Sequence, residues 1–194
     1  MELVINTGGL NVGGSPNSTI GGGSTVFNGT TGYAYAKSNT MTGANFTVTG
    51  WVNVAALPTV QGTDPYPFST FFYYGMIGVG IRNGGCLGSA SECLTTIYDG
   101  PAWEPTSYQL PLTQWIFVAM SVSSSGLAEL YVNGNEVASV SSSFYTSHHL
   151  TIGASFPYGV DTPGRFLNGS LAQVAYFNSV LTPSQVSQLY ASSS

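Results

Sequence analysis

Three proline-containing segments of the chain combine aromatic rings with carboxylates, a combination that can bind carbohydrate. They are residues 64–68, 99–104 and 156–161. Aromatic faces stack on the C–H surface of a sugar ring, carboxylates accept its hydroxyl groups, and loops on a rigid scaffold commonly carry recognition. Any one ring could instead pack over an end of the core. The candidate ligand-binding residues are Asp64, Tyr66, Phe68, Asp99, Trp103, Glu104, Tyr158 and Asp161.

The aspartates of these segments could also supply oxygens to a metal ion. Ca²⁺ takes about six to eight oxygen ligands, but the chain contains no Asp-x-Asp cluster. We therefore expect that no cofactor is required, and keep Ca²⁺ as an alternative with weak candidate ligands Asp64, Asp99 and Asp161. His148 and His149 are adjacent, so on a strand they would point to opposite faces, and a shared metal is not expected.

The composition excludes two classes of partner. Only 6% of the 194 residues are charged, with three Lys plus Arg against eight Asp plus Glu, and the net charge is -5. Nucleic acids and anionic membrane surfaces are bound through clustered Lys and Arg, which this chain lacks. No run approaches the roughly 20 apolar residues of a transmembrane helix, so membrane insertion is not expected either.

Several features favour an oxidising, extracellular setting. Neutral polar residues must cover most of the surface, and such groups keep their hydration in acid. Cys86 and Cys93 are spaced for a small disulfide that closes a loop, although two free thiols in adjacent strands would fit the same spacing. Four Asn-x-Ser/Thr sequons are candidate glycosylation sites: Asn17, Asn28, Asn45 and Asn168.

Strand-like segments separated by Gly and Pro turns run through most of the sequence. They predict an all-β, two-sheet antiparallel sandwich that forms one domain over residues 1–194. Residues 1–6 are expected to be an edge strand. Residues 8–24 are rich in glycine, and residues 57–68 and 99–111 are rich in proline, so all three are interpreted as loops.

Two local signals near the C-terminus are specific. The Asn133-Gly134 pair predicts a type I′ hairpin, because both central positions need positive φ. Thr182, Pro183 and Gln185 predict the capped start of one short helix, with a hydrophobic staple between Leu181 and Val186.

The strand before that helix should seal the sandwich. Simple alternation predicts one face with Leu171, Gln173, Ala175 and Phe177, and a second face with Ala172, Val174 and Tyr176. The residues expected to close the core are Leu171, Val174, Tyr176, Leu181, Val186 and Leu189.

An ordered set of motifs resembles the laminin-G-like (LamG) domains of the concanavalin A-like lectin/glucanase superfamily, over about residues 24–191. The motifs are Val26-Phe-Asn-Gly-Thr-Thr-Gly-Tyr33, Phe46-Thr-Val-Thr-Gly-Trp51, Trp115-Ile-Phe-Val-Ala119, Leu130-Tyr-Val-Asn-Gly134 and the segment 166–190. The resemblance implies a jelly roll, a fold that usually binds glycans or surfaces. Hydrolase relatives carry Glu-x-Asp-x-x-Glu on one strand. This chain has no such spacing, since Glu92, Asp99 and Glu104 stand at other intervals.

We therefore expect a non-catalytic, extracellular module that binds a glycan or a cell-surface polymer. One alternative is a structural or host-attachment protein of a virion or surface filament, with other subunits as its partners. It is favoured by a strand-like pattern that starts directly at Met1 without a secretory leader. A polysaccharide-degrading enzyme is the more remote alternative.

Overall fold

The two faces of the molecule are formed by two seven-stranded antiparallel sheets. The computed structural model describes residues 3–6, 11–14, 23–36, 45–59, 67–75, 77–83, 93–99, 102–141, 150–156 and 162–193. Sheet 1 contains, in spatial order, β1 (Leu3–Asn6), β4 (Tyr33–Ala36), β13 (Thr151–Ile152), β6 (Phe68–Tyr74), β7 (Ile77–Arg82), β8 (Cys93–Asp99) and β9 (Ala102–Gln109). Sheet 2 contains β12 (Asn135–Ser141), β11 (Leu127–Val132), β10 (Trp115–Val122), β5 (Phe46–Val54), β14 (Asn168–Phe177), β3 (Ser24–Asn28) and β2 (Asn11–Gly14). The predicted sandwich and the edge position of its first strand are confirmed.

Apolar side chains from both sheets form the main core between them. Alternation along β5 directs Val48, Val52 and Val54 into this core, and β10 contributes a matching set around Val118. Strands β6 and β7 supply the facing surface, which includes Phe72. The central pair β5–β10 is therefore buried on its inner face along its whole length, which is the burial that holds the two sheets together.

A single helix in the described part of the chain, α1 (Pro183–Ser193), covers the outer face of sheet 2. Trp51 and Phe117 point outward from β5 and β10, and Val186 of the helix packs against them without any exposure. The ring centroid of Tyr190 lies 5.8 Å from that of Trp51 and 5.9 Å from that of Phe117. The helix thus adds a third layer with its own apolar core.

The start of α1 has the predicted capping box. The Gln185 backbone N–H donates to Thr182 Oγ1 at 3.3 Å, and the Thr182 N–H donates to Gln185 Oε1 at 2.8 Å. Leu181 and Val186 are both buried on the helix side of sheet 2, as the staple requires. The Thr182 and Gln185 side chains thus accept N–H groups at the helix start that have no intrahelical partners.

Two buried hydroxyl groups fix the chain just before the helix. Thr47 and Ser121 stand opposite each other on β5 and β10, and their oxygens are 2.8 Å apart. Thr47 Oγ1 donates to the Ser179 carbonyl at 2.9 Å and accepts the Leu181 N–H at 2.9 Å. Buried polar groups need such partners, so this network sets where the last segment crosses sheet 2.

The predicted hairpin joins β11 to β12. Asn133 has φ of 48° and Gly134 has φ of 79°, as a type I′ turn needs. Asn133 Oδ1 also accepts the Phe117 N–H at 2.9 Å. A Cβ at Gly134 would lie 3.1 Å from the Ser187 Cα, so glycine also allows the helix to approach the turn.

Two segments interpreted as loops are in fact strands. Residues 102–109 form β9 despite Pro105, and residues 11–14 form β2 despite the glycine-rich sequence. Both are the outermost strands of their sheets, where only one side of the strand must hydrogen-bond. An edge position therefore tolerates the proline and glycine that would break a central strand.

The predicted faces of β14 are wrong beyond Ala172. Gln173 has φ of 49° and is exposed, and the pairing with β5 shifts between Ala172 and Ala175. This β-bulge adds one residue and inverts the alternation. Consequently Leu171, Val174 and Tyr176 all pack on the core between the sheets. Ala172 and Phe177 pack on the helix side.

Candidate functional site

The outer face of sheet 1 carries partly exposed aromatic rings. Tyr33 and Tyr35 alternate on β4 with Ala34, which is 2% exposed and faces the core. The two tyrosine rings stack with centroids 6.1 Å apart and planes 26° apart. The Phe166 ring lies 6.4 Å from that of Tyr33. We call Tyr33, Tyr35 and Phe166 the aromatic strip.

Hydrogen bonds to the backbone of residues 166–167 hold the Phe166 part of the strip in place. Ser69 Oγ donates to the Phe166 carbonyl at 2.9 Å. The next residue, Leu167, donates its N–H to the Gly153 carbonyl at 2.8 Å and accepts the Gly29 N–H at 2.8 Å. Since these bonds come from three different parts of the chain, the strip is a pre-organised surface rather than a loop that must order on binding.

Tyr33 follows a turn that the side chain of Asn28 organises. Its Oδ1 accepts the backbone N–H groups of Thr30, Thr31 and Gly32 at 3.0, 3.1 and 3.3 Å. Its Nδ2 donates to Thr31 Oγ1 at 3.2 Å. This turn connects β3 in sheet 2 to β4 in sheet 1. It also exposes Thr30 and Thr31, whose hydroxyl groups can hydrogen-bond a ligand beside Tyr33.

Phe68 is part of the packing of sheet 1. It lies at the start of β6 rather than in a loop, and it is only 1% exposed. A Cβ at Gly80 would lie 2.9 Å from its ring, so the ring crosses β7 over a glycine. The Arg165 guanidinium carbon lies 5.8 Å from the centroid of the Phe68 ring. This burial argues against the ligand contact that the sequence predicted for Phe68.

The second candidate segment lies at the other end of the same strands. Asp99 ends β8, and Trp103 and Glu104 lie in β9, with Trp103 paired to Tyr98. Phe68 of β6 pairs with Arg82 of β7, and Arg82 in turn pairs with Cys93 at the start of β8. The hairpin of β8 and β9 is therefore far along the sheet from Phe68, and the structure does not bring these two candidate segments together.

The remaining candidates lie outside the described residues. These are Asp64, Tyr66, Tyr158 and Asp161 among the ligand-binding residues, together with Cys86, Asn17 and both histidines. Cys93 lies in β8, and the disulfide stays a prediction. Calcium binding also stays a prediction. Among the side chains that the structure describes, no three His, Cys, Asp or Glu residues come together as metal ligands.

The three described sequon asparagines differ in their surroundings. Asn28 is exposed, and its amide is engaged within its own turn. Asn45 is exposed, and its Oδ1 accepts the Ser124 N–H at 2.8 Å. Asn168 is half-buried at the start of β14, close to Gly29. Glycosylation at these positions stays a prediction.

The carboxylates whose side chains are described lie on sheet 2, away from the aromatic strip. Glu129 accepts the Tyr131 hydroxyl at 3.1 Å, and Glu136 stands opposite Tyr131 on β12. Burial first, and then both glutamates, raise the pKa of the Tyr131 hydroxyl well above its usual value. This tyrosine is thus held neutral beneath the helix, where it is fully buried.

Sequence reasoning missed the aromatic strip because it searched proline-rich loops. The signal was present in Tyr33-Ala34-Tyr35, since period-two alternation puts both rings on one face of a strand. Phe166 carried no comparable signal, because its contact with Tyr33 depends on how the chain returns from sheet 1 to sheet 2.

Comparison with known proteins agrees with the two-sheet sandwich described above. The profile of a laminin-G-type family of the concanavalin A-like lectin/glucanases superfamily matches residues 28–187. A comparison with curated protein sequences found no match. Within the described residues, no helix has the length and apolar character needed to cross a membrane.

Several solved structures share this fold. Domain 4 of AbnA, a GH43 extracellular arabinanase from Geobacillus stearothermophilus solved with arabinotriose, is 21% identical with a TM-score of 0.63. The match covers 93% of this chain and 86% of that domain. Trypanosoma rangeli sialidase, solved with the inhibitor DANA, is 16% identical with a TM-score of 0.62 over 93% of this chain. The match covers only 29% of the sialidase. A candidate carbohydrate-binding protein of Bacteroides ovatus is 21% identical, with a TM-score of 0.56 over 75% of this chain and 40% of that chain.

Proposed function

Because the chain belongs to the concanavalin A-like lectin/glucanases superfamily, we propose that it is a non-catalytic module that binds glycans outside the cell. The observation that carries the proposal is the aromatic strip on the outer face of sheet 1. Tyr33 contacts both Tyr35 and Phe166, and the three partly exposed rings together form an apolar surface.

The chemistry of the strip suits a sugar ligand. Pyranose and furanose rings present C–H groups that pack on aromatic faces, and hydroxyl groups at their edges that need polar partners. Tyr33 and Tyr35 supply the faces, and Thr30 and Thr31 supply nearby hydroxyl groups. Because β4 and the Asn28 turn fix these residues in advance, binding would order little of the protein.

The absence of turnover is proposed on two grounds. The sequence has no carboxylate pair at the spacing used by hydrolases of this fold, as described above. The two carboxylates with described side chains, Glu129 and Glu136, stand on sheet 2 and therefore cannot flank a bond held over Tyr33.

The extracellular setting is supported by the composition and sequons of the chain and by one similar structure. The sequence has four sequons and a low content of charge. Domain 4 of the extracellular arabinanase, solved with arabinotriose, has the same fold over most of its length. A glycan outside the cell is the ligand that accounts for these features together.

A glycan array with the purified full chain tests the proposal. Wild type should bind at least one class of polysaccharide, and the double variant Tyr33→Ala/Tyr35→Ala should lose that binding. Leu127→Ala is the matched control, since Leu127 is 38% exposed on sheet 2 and should bind like wild type. Circular dichroism must show that all three proteins are folded.

Two results would contradict the proposal. Absence of binding by wild type at high protein concentration would remove the glycan-binding function. Release of reducing sugar from a bound polysaccharide, at a rate that rises with the concentration of the protein, would show that the module is catalytic.

A further inference from the structure

We infer that the aromatic strip binds internal units of a neutral glycan chain, which lies along the strip and leaves its ends outside the contact. This inference rests on the proposed function and narrows it to one ligand class and one binding mode. Nothing in the fold alone requires either, because glycan-binding surfaces also recognise chain ends and acidic sugars.

The charge of the molecule favours a neutral ligand. The whole chain has only three cations, Lys37, Arg82 and Arg165, against eight acidic residues. Arg165 is 7% exposed and is engaged over the Phe68 ring. An acidic polysaccharide would approach a protein with net charge -5, and the cations next to the strip in sequence are only Lys37 and the largely buried Arg165, so net repulsion should oppose its binding at low ionic strength.

The geometry of the strip favours internal units of a chain. Tyr33 contacts both other rings, with centroid distances of 6.1 Å to Tyr35 and 6.4 Å to Phe166. These spacings are comparable with the length of one sugar unit in a polysaccharide. Successive rings can therefore contact successive units, whereas recognition of a chain end needs polar groups that close around the terminal unit.

The rings are also fixed relative to one another. Tyr33 and Tyr35 share one short strand, β4, which is paired on both sides, with β1 and with β13. Phe166 is held by the carbonyl and amide contacts of residues 166–167. Rigidly held stacking surfaces favour a repeating ligand, because each added sugar unit makes a further contact while ordering little more of the protein.

The preference for a neutral ligand is tested with four immobilised polysaccharides and the full chain. Arabinan, xylan and mixed-linkage β-glucan are neutral, and polygalacturonate is acidic. We expect binding to at least one neutral polymer, with little change in affinity between low and moderate salt. Stronger binding to polygalacturonate than to every neutral polymer would overturn the inference while leaving the proposed function intact.

The chain-length part uses oligosaccharides of one to six units from the neutral polymer that binds. Calorimetry should show affinity rising by roughly tenfold or more between one and three units. Chemical reduction of the end unit should leave the affinity of the six-unit ligand unchanged. Equal affinity for one and three units, or loss of binding on end reduction, would overturn internal-chain recognition.

Variants connect the result to the strip. Tyr33→Ala should weaken binding of the six-unit ligand by roughly tenfold, since it removes the ring that contacts both of the others. Tyr33→Phe keeps the ring and should bind within a few-fold of wild type. Unchanged binding by folded Tyr33→Ala would place the ligand elsewhere and overturn the inference, with the proposed function still standing. If wild type binds no polysaccharide, the proposed function and this inference fail together.

Discussion

One amide side chain organises the only described turn that leads directly into the aromatic strip. Asn28 accepts three consecutive backbone N–H groups, from Thr30 to Gly32, within a turn that crosses between the sheets. Asn and Asp commonly stabilise turns in this way, by replacing backbone acceptors that the turn cannot supply.

Replacing the Asn28 side chain should lower the stability of the protein. Asn28→Ala leaves the three N–H groups without their acceptor, and we expect a loss of about 1–2 kcal/mol in the free energy of unfolding. Asn28→Asp keeps the acceptor oxygen and should recover most of the loss. Urea denaturation of the three proteins measures the difference, and equal stability of Asn28→Ala and wild type would show that the turn holds itself.

Tyr176 packs against the core with its side chain half-buried and its hydroxyl group buried. Its hydroxyl has no hydrogen-bond partner among the described residues. Burial, and then the neighbouring Tyr74, raise the pKa of this hydroxyl from 10.0 to about 12. Between pH 10 and 12 the unfolded chain would release a proton that the folded chain keeps, so stability should fall as pH rises through this range.

Tyr176→Phe tests both properties. At neutral pH the variant should be as stable as wild type or more stable by up to about 1 kcal/mol, because it removes a buried hydroxyl without a partner. From pH 10 to 12 its denaturation midpoint should fall less steeply than that of wild type. A parallel fall in both proteins would mean that Tyr176 does not contribute to the alkaline loss of stability.

At the scale of elements, α1 stabilises sheet 2 by covering Trp51 and Phe117. Val186→Ala should destabilise the protein by about 2 kcal/mol, because Val186 is fully buried between helix and sheet. Gln188→Ala, on the exposed side of the same helix, should have almost no effect.

Removal of residues 181–194 should cost several kcal/mol, since it uncovers the apolar face of sheet 2 at about 25 cal/mol per Å². Tryptophan fluorescence should shift to longer wavelength as Trp51 becomes hydrated. A truncated chain that melts at the wild-type temperature, with unchanged fluorescence, would show that the helix is dispensable.

The sequence predicted elements well where local residues decide them. The capping box at Thr182 and the turn at Asn133-Gly134 each depend on a few neighbouring positions, and both are present. The bulge at Gln173 was missed because nothing in a single strand reveals where its partner gains or loses a residue. Strands β2 and β9 were missed because their edge positions, which permit Gly and Pro, are a property of the whole sheet.

The candidate site was predicted less well than the fold, for a related reason. Composition and chemistry identified residues that can bind sugars, but a site also requires that they share a surface. Phe68 is buried at the start of β6, and Trp103 lies near the far end of the β8–β9 hairpin. Tyr33 and Phe166 lie far apart in sequence and come together only through the path of the folded chain.

At the scale of the whole molecule, the small number of charges should make stability insensitive to acid. The dependence of unfolding on pH is proportional to the protons taken up, and the chain has only eight Asp and Glu side chains. We expect the melting temperature to change by less than about 5 °C between pH 7 and pH 4 in dilute solution. Calorimetry at both pH values, with and without added salt, provides the measurement, and a larger fall would mean that a few carboxylates carry much of the stability.

The opposite placement of β1 and α1 determines how the protein can be attached to a solid support. Strand β1 is the direct neighbour of β4, so a linker joined ahead of it emerges beside the aromatic strip. Helix α1 lies on the far side of the molecule, beyond sheet 2. Attachment through the end of α1 therefore leaves the strip facing the solution, whereas a sensor surface coupled ahead of β1 would obstruct the approach of a long polymer.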